Sequence, residues 1–194
     1  METNFKNERG DSDIDIRQRF NVIASYRLPF GSRLTGLPGV LVKGWAFNAV
    51  STAQTGSVET IQTSSNLAGT GQTADRPNAT GLPYGGDGYG NGTSSVNNWF
   101  NKAAFSLNAA QTIGNLGRNT VRGPRAVSVD FSAFKEFQPR EHMTLQFRAE
   151  MFNILNHPNL GMPNNVFGTS AFGVIGSTGN YLARNIQFAL KLLF

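Results

Sequence analysis

Counting back by twos from the last residue, Phe194, Leu192, Leu190, Phe188 and Ile186 fall on one face and Leu193, Lys191, Ala189, Gln187 and Asn185 on the other. That is the period of a β-strand with one wholly apolar side. The segment is about ten residues long, the length a tilted strand needs to cross the hydrocarbon core of a bilayer. An amphipathic edge strand of a soluble sandwich would read the same way, so the other segments have to decide.

Four more segments carry the same alternation. In the first, Phe20, Val22, Ala24, Tyr26 and Leu28 share a face opposite Arg19, Asn21, Ser25 and Arg27, with Ile23 as an exception, and the strand stops at Pro29. The second runs from about Val40 to Thr55 with Leu41, Trp45, Phe47 and Ala49 on one face, interrupted by Lys43. The third covers roughly Ala126 to Phe137, with Val127, Val129, Phe131 and Ala133 opposite Ser128, Asp130 and Ser132. The fourth, His142 to Phe152, alternates Met143, Leu145, Phe147, Ala149 and Met151 with Thr144, Gln146, Arg148 and Glu150, a separation that a helix could not make.

The connections alternate in length. Residues 29–39 and 138–142 make short turns, each containing proline, whereas 56–125 and 156–180 are long and rich in Gly, Asn, Ser and Thr. In an up-and-down meander all short turns then lie at one end and all long loops at the other, as in membrane barrels. A structureless connection of about seventy residues does not belong inside a compact soluble domain. Within it, Trp99, Phe100, Ala103, Ala104 and Phe105 form an apolar cluster able to order part of the loop.

Composition agrees with this pattern. Apolar residues make up 39% of the chain, below the roughly 45–50% of ordinary globular domains, as expected if they occupy alternate positions. No run approaches the ~18 apolar residues of a spanning helix, so a membrane crossing has to be made by strands. Met1 to Gly10 is polar and charged and offers no secretory signal, so a protein working outside the cytoplasm would have lost its own start. There is no cysteine, hence no disulfide or thiolate metal site. The net charge of +5 is spread along the chain without a basic tract, which argues against nucleic acid as a partner.

Candidate chemistry is sparse. Arg148 and Glu150 share the polar face, where they would project into a barrel lumen to pair with neighbouring strands or touch a ligand. Arg118, Arg122 and Arg125 form a basic cluster that would either attract anionic solutes and lipopolysaccharide phosphate or brace a loop through backbone carbonyls. His142 and His157 have no partners at metal-ligand spacing. The Gly-rich run at 84–92 lacks the Asp of a calcium nonapeptide repeat and the Lys-Ser/Thr of a phosphate loop. No nucleophile–base constellation or carboxylate pair suggests an enzyme, and no cofactor is expected.

Four stretches carry a family resemblance: Ile113 through Pro124 (Ile-Gly-Asn-Leu-Gly-Arg-Asn-Thr-Val-Arg-Gly-Pro), Val129-Asp130-Phe131-Ser132 with Lys135, Phe147 through Pro158 (Phe-Arg-Ala-Glu-Met-Phe-Asn-Ile-Leu-Asn-His-Pro), and Arg184 through Phe188. In this order, over about Asp13 to Phe194, the chain resembles the C-terminal portion of TonB-dependent outer-membrane receptors, most nearly the Oar-like group with its carboxypeptidase-regulatory-like domain. The resemblance implies a barrel of roughly 22 strands with an N-terminal plug, coupled through a TonB box to the inner-membrane proton-motive force. It also implies a Gram-negative outer-membrane location and TonB-coupled import of a bulky solute. Ile186, Phe188, Leu190, Leu192 and Phe194 would then be the signal read by the barrel-assembly machinery. The expected fold is all-β, about five antiparallel meander strands forming part of a transmembrane barrel. Plug, TonB box and the remaining strands are expected outside this chain, which would be a fragment, a split gene product or a degenerate copy not competent to transport alone. A structural or adhesive outer-membrane barrel protein is the alternative, and a soluble carbohydrate-binding β-sandwich the third reading.

Overall fold

The computed structural model describes residues 8–31, 33–72, 74–86, 94–179 and 183–194. Most of the Gly-rich run at 84–92 lies outside the described residues, as does residue 180 at the end of the second long loop. The chain divides into two compact units. One comprises Phe20–Ala53, Val127–Pro158 and Tyr181–Phe194; the other Met1–Arg19, Gln54–Ala126 and Asn159–Asn180.

The first unit is a five-stranded sheet of β1 (Arg19–Arg27), β2 (Trp45–Gln54), β8 (Ala126–Arg140), β9 (Met143–Phe152) and β11 (Asn185–Leu193), in the order β1-β2-β8-β9-β11. These are the five segments the alternation predicts. The sheet is not closed. Every residue of β1 and β11, its two edges, is exposed. In the antiparallel register Ile186, Phe188, Leu190 and Leu192 sit opposite Met151, Ala149, Phe147 and Leu145. On the other side of β9, Phe131, Ala133 and Phe137 meet Met151, Ala149 and Leu145. Phe47 of β2 stacks on Phe131 at 5.7 Å, which continues one apolar face across the strands. Ser25 donating to Asn48 Oδ1 at 2.6 Å and Gln146 donating to Glu136 Oε1 at 3.1 Å mark the polar face.

Both short turns differ from the expectation. The residues around Val40 start no strand. Gly36–Val42 forms a short helix, α1, and β2 begins only at Trp45. Pro38 lies in the first helical turn, where a missing N–H costs no hydrogen bond, and Gly44 (φ 74°) swings the chain into β2. In the second turn, Gln138–Arg140 belongs to β8, and only Glu141 and His142 remain outside the ladder. The register shifts between Phe137 and Arg140, a bulge at the place where Pro139 cannot donate.

The second unit is built from the two long loops and the segment before β1. The expected loop is here a folded body with its own core. Ile61, Trp99, Phe100, Ala104, Phe105, Leu116 and Val121 from the first long connection pack with Phe172 and Ile175 from the second. Phe172 stands edge-on to Phe100 (4.9 Å), Phe167 (5.1 Å) and Phe105 (5.6 Å), which joins the two loops at one aromatic cluster. Of the residues that mark this cluster in the sequence, Ala103 alone is exposed. Two-residue ladders complete the framework: β3 (Val58–Glu59) with β7 (Val121–Arg122), β4 (Gln62–Thr63) with β10 (Val166–Phe167), and β5 (Asn78–Ala79) with β6 (Phe105–Ser106).

Candidate functional site: an arginine clamp and a polar cavity in the loop unit

Arg122 pairs with Val58 in the β3–β7 ladder, so its backbone is fixed and its side chain is 7% exposed. Its guanidinium donates to Gly56 O (3.1 Å) and Asp11 Oδ2 (2.6 Å) and also pairs with Asp15. The Arg122 carbonyl accepts from Trp99 Nε1 at 2.7 Å, which ties the clamp to the core. A planar fork that meets carboxylates and a carbonyl at once is a geometry lysine cannot reproduce. Gly56 is required beside it, since a Cβ there would lie 1.9 Å from Gly123 O.

Asn119, three residues earlier, takes the left-handed conformation (φ 52°) that asparagine tolerates. Its Nδ2 donates to Asp11 O (2.7 Å) and Asp13 Oδ1 (2.6 Å), and its side-chain oxygen accepts from Thr60 (2.8 Å). Arg118 pairs with Asp13 at 3.5 Å, with both groups largely in solvent. Two of the three clustered arginines therefore already face the carboxylates of Asp11, Asp13 and Asp15, and Arg125 is exposed and makes no ion pair among the described residues. The acidic partners were missed in the sequence because they lie more than a hundred positions away. The signal was the close spacing of Asp11, Asp13 and Asp15, which a turn closed by Asp15 N on Ser12 O at 2.8 Å gathers toward Arg118, Asn119 and Arg122.

Beside the clamp is an open cavity of about 950 Å³. Its walls include Glu59, Gln62, Gln72, Asn115, Arg118 and Asn165, a mixture of donors and acceptors, beside the apolar Val58 and Ile113. Arg76 on its wall pairs with Glu8. Glu59 Oε2 is buried without a hydrogen-bond partner, and this desolvation pushes the Glu59 carboxyl up to about 7. The folded state thus holds a proton that the unfolded chain releases near pH 4.5, and stability of the loop unit falls as pH rises from about 4.5 to about 7. Because the group retains some solvent contact, we expect the loss to be on the order of 1–2 kcal/mol. In Glu59→Gln the slope over that range should disappear, as read from urea unfolding followed by Trp99 fluorescence in a Trp45→Phe background.

On the sheet, Arg148 donates to Glu150 Oε1 at 2.8 Å and lies over the Phe134 ring at 5.0 Å, so the pair forms along one strand. The Phe147–Pro158 stretch resolves into a strand ending. Asn153 (φ 47°) donates from its backbone to Asp130 Oδ1 (2.8 Å), Ile154 N bonds Val129 O (2.8 Å), and Asn156 Oδ1 accepts from Arg184 N (3.2 Å). The four resembling stretches therefore converge on two joints, the clamp and the β8–β9–β11 strand end. No helix among the described residues is long and apolar enough to cross a membrane, which says nothing of crossing by strands.

A comparison with known protein families matches residues 1–187 to the outer membrane beta-barrel domain. No match was found among curated proteins or among solved structures. With an open five-stranded antiparallel sheet and an apolar face continuous across its strands, the chain belongs to the outer membrane beta-barrel domain family and resides in the outer membrane of a Gram-negative bacterium.

Proposed function

We infer that the chain is the C-terminal part of the barrel of a TonB-coupled receptor of the Oar-like kind, taking part in import of a bulky solute and acting by binding rather than by catalysis. The observation that carries this reading is the folded loop unit, whose own core supports a polar cavity of about 950 Å³. A barrel wall alone has no use for a receptor-sized cavity on a rigid frame. The outer-membrane family sets aside the soluble sandwich, while a structural or adhesive barrel remains the competing assignment. In our reading Arg148 and Glu150 line the lumen, Arg118, Arg122 and Arg125 serve the ligand-binding loop unit, and plug and TonB box come from outside this chain. The strand with Ile186, Phe188, Leu190, Leu192 and Phe194 engages the barrel-assembly machinery.

The test is site-specific cross-linking of the complete outer-membrane protein to TonB in energised cells, with and without medium solutes. A cross-link that strengthens with a solute, together with uptake of that solute lost in cells lacking TonB, supports import. Absence of any TonB cross-link from a correctly assembled, heat-modifiable barrel would instead establish the adhesive assignment.

A further inference from the structure

The cavity of the loop unit is walled by amides whose hydrogen-bonding groups the protein leaves unused. The side chains of Gln62 and Gln72 are exposed and bond no other described residue. Asn115 engages only its Oδ1, which accepts from Ala79 N at 2.7 Å, and Asn165 only its Nδ2, which donates to Thr60 O at 2.9 Å. Donors and acceptors therefore stand ready together along the wall. Val58 and Ile113 add aliphatic surface, and no aromatic ring lines the cavity among the described residues. Such a wall suits a solute whose edges carry hydroxyls and whose faces carry C–H groups, whereas a flat aromatic solute finds no ring to stack on.

The charged groups on the wall are Glu8, Asp13, Glu59, Asp75, Arg76 and Arg118. Both guanidinia are matched by the segment before β1: Arg76 pairs with Glu8, and Arg118 with Asp13 at 3.5 Å. That segment is held close, since a Cβ at Gly10 would lie 2.4 Å from the Arg118 carbonyl oxygen. Asn119 Nδ2 fixes the same stretch through Asp11 O and Asp13 Oδ1. Of the other carboxyls, Asp75 Oδ2 accepts from Ala68 N at 2.6 Å, and burial pushes Glu59 up to about 7. An anion entering the cavity would meet guanidinia already paired and carboxylates already in place.

We propose that this cavity binds an uncharged, hydroxyl-rich solute of the oligosaccharide class, and that Glu8 and Asp13 set its charge preference by occupying Arg76 and Arg118. The amides meet hydroxyls, which donate and accept as the amides do. An acidic sugar of the same skeleton gains little from the paired guanidinia and is repelled by the carboxylates beside them. The inference rests on the loop unit being the solute-binding part of the receptor, and adds to it the class of solute and the residues that reject its acidic relatives.

The experiment is calorimetric titration of the complete outer-membrane protein, folded in detergent, with uncharged trisaccharides of glucose, galactose, mannose and xylose and with the uronate trimers of glucose, galactose and mannose. At least one uncharged trisaccharide should bind, and its uronate counterpart about tenfold more weakly. Gln62→Leu with Gln72→Leu should weaken the uncharged sugar about tenfold through the lost amide hydrogen bonds. Glu8→Gln with Asp13→Asn, which frees both guanidinia, should strengthen the uronate about tenfold and leave the uncharged sugar within about twofold. Arg140→Gln, at the short-turn end of β8, should change neither. Heat-modifiable migration checks that each variant is folded. If the Glu8 and Asp13 double variant does not fold, Asp13→Asn alone, at a carboxylate 71% exposed, reads the same preference. A uronate bound by the native protein as tightly as its uncharged counterpart, an unchanged ratio in the folded variant, or no sugar bound at all would overturn the proposal. TonB cross-linking reports separately on import: sugar binding without a cross-link keeps this inference and ends the import reading, while a cross-link driven by a charged or aromatic solute does the reverse.

Discussion

Arg122→Ala should destabilise the loop unit by about 2–3 kcal/mol, a large effect for a polar side chain. Removing one partner of a buried ion pair costs roughly 3–5 kcal/mol, because the remaining charge is left without compensation. Here the cation is 7% exposed but Asp11 and Asp15 keep 40% and 32%, so water can rescue them in part and the figure is reduced. The contrast is Arg118→Ala, whose pair with Asp13 is 47% and 71% exposed and should cost no more than about 0.5 kcal/mol. Arg122→Lys should recover little, since an ammonium cannot meet two carboxylates and the Gly56 carbonyl from one fixed plane. Urea titrations followed by Trp99 fluorescence in a Trp45→Phe background give all three values. Trp99 is suited to this because its indole bonds the Arg122 carbonyl and its ring lies in the core.

The second large effect belongs to the sheet. Leu190→Arg places a guanidinium on the apolar face near the middle of β11, opposite Phe147. On the lipid face of a membrane barrel such a substitution costs about 2–4 kcal/mol at the midplane. Ala189→Arg, one residue away, falls opposite Arg148 on the polar face and should be far milder despite the like charge. The measurement is the folded fraction of the assembled barrel in lipid vesicles at graded urea, read as heat-modifiable migration. A one-residue step that separates the two outcomes is the property of a strand with one face in lipid.

How much of this was legible in the sequence depends on the range over which residues speak to one another. Alternation is local, so all five sheet strands could be located, and the apolar residues of β9 and β11 share a face as counted. Turn detail was less legible. Val40 and Leu41 alternate acceptably as a strand, and only the pairing of Trp45 with α1 shows that they belong to a helix. The loop unit was visible only through Trp99, Phe100, Ala104 and Phe105, because the ring that completes their cluster, Phe172, comes from the other long connection. Lys135 stands in a resembling stretch that does not show which way it faces. A lone lysine in a strand whose end is irregular carries no local sign of its surroundings until the register sets it between Trp45 and Phe137. The Arg118–Arg122 pair was legible as a cluster but its partners were not. Three aspartates at alternate positions in a polar segment read as solvated charge.

The central claim, that one face of this sheet meets lipid and the other does not, is open to a direct test because the chain contains no cysteine. Single cysteines from residue 185 to 193 can be spin-labelled in the assembled barrel, and their collision rates measured with oxygen, which concentrates in lipid, and with a water-soluble nickel chelate. The expected result is an alternation of period two, with oxygen favoured at 186, 188, 190 and 192 and the chelate at 185, 187, 189 and 191. Equal access of the chelate to both sets, or the reverse assignment, would contradict the account.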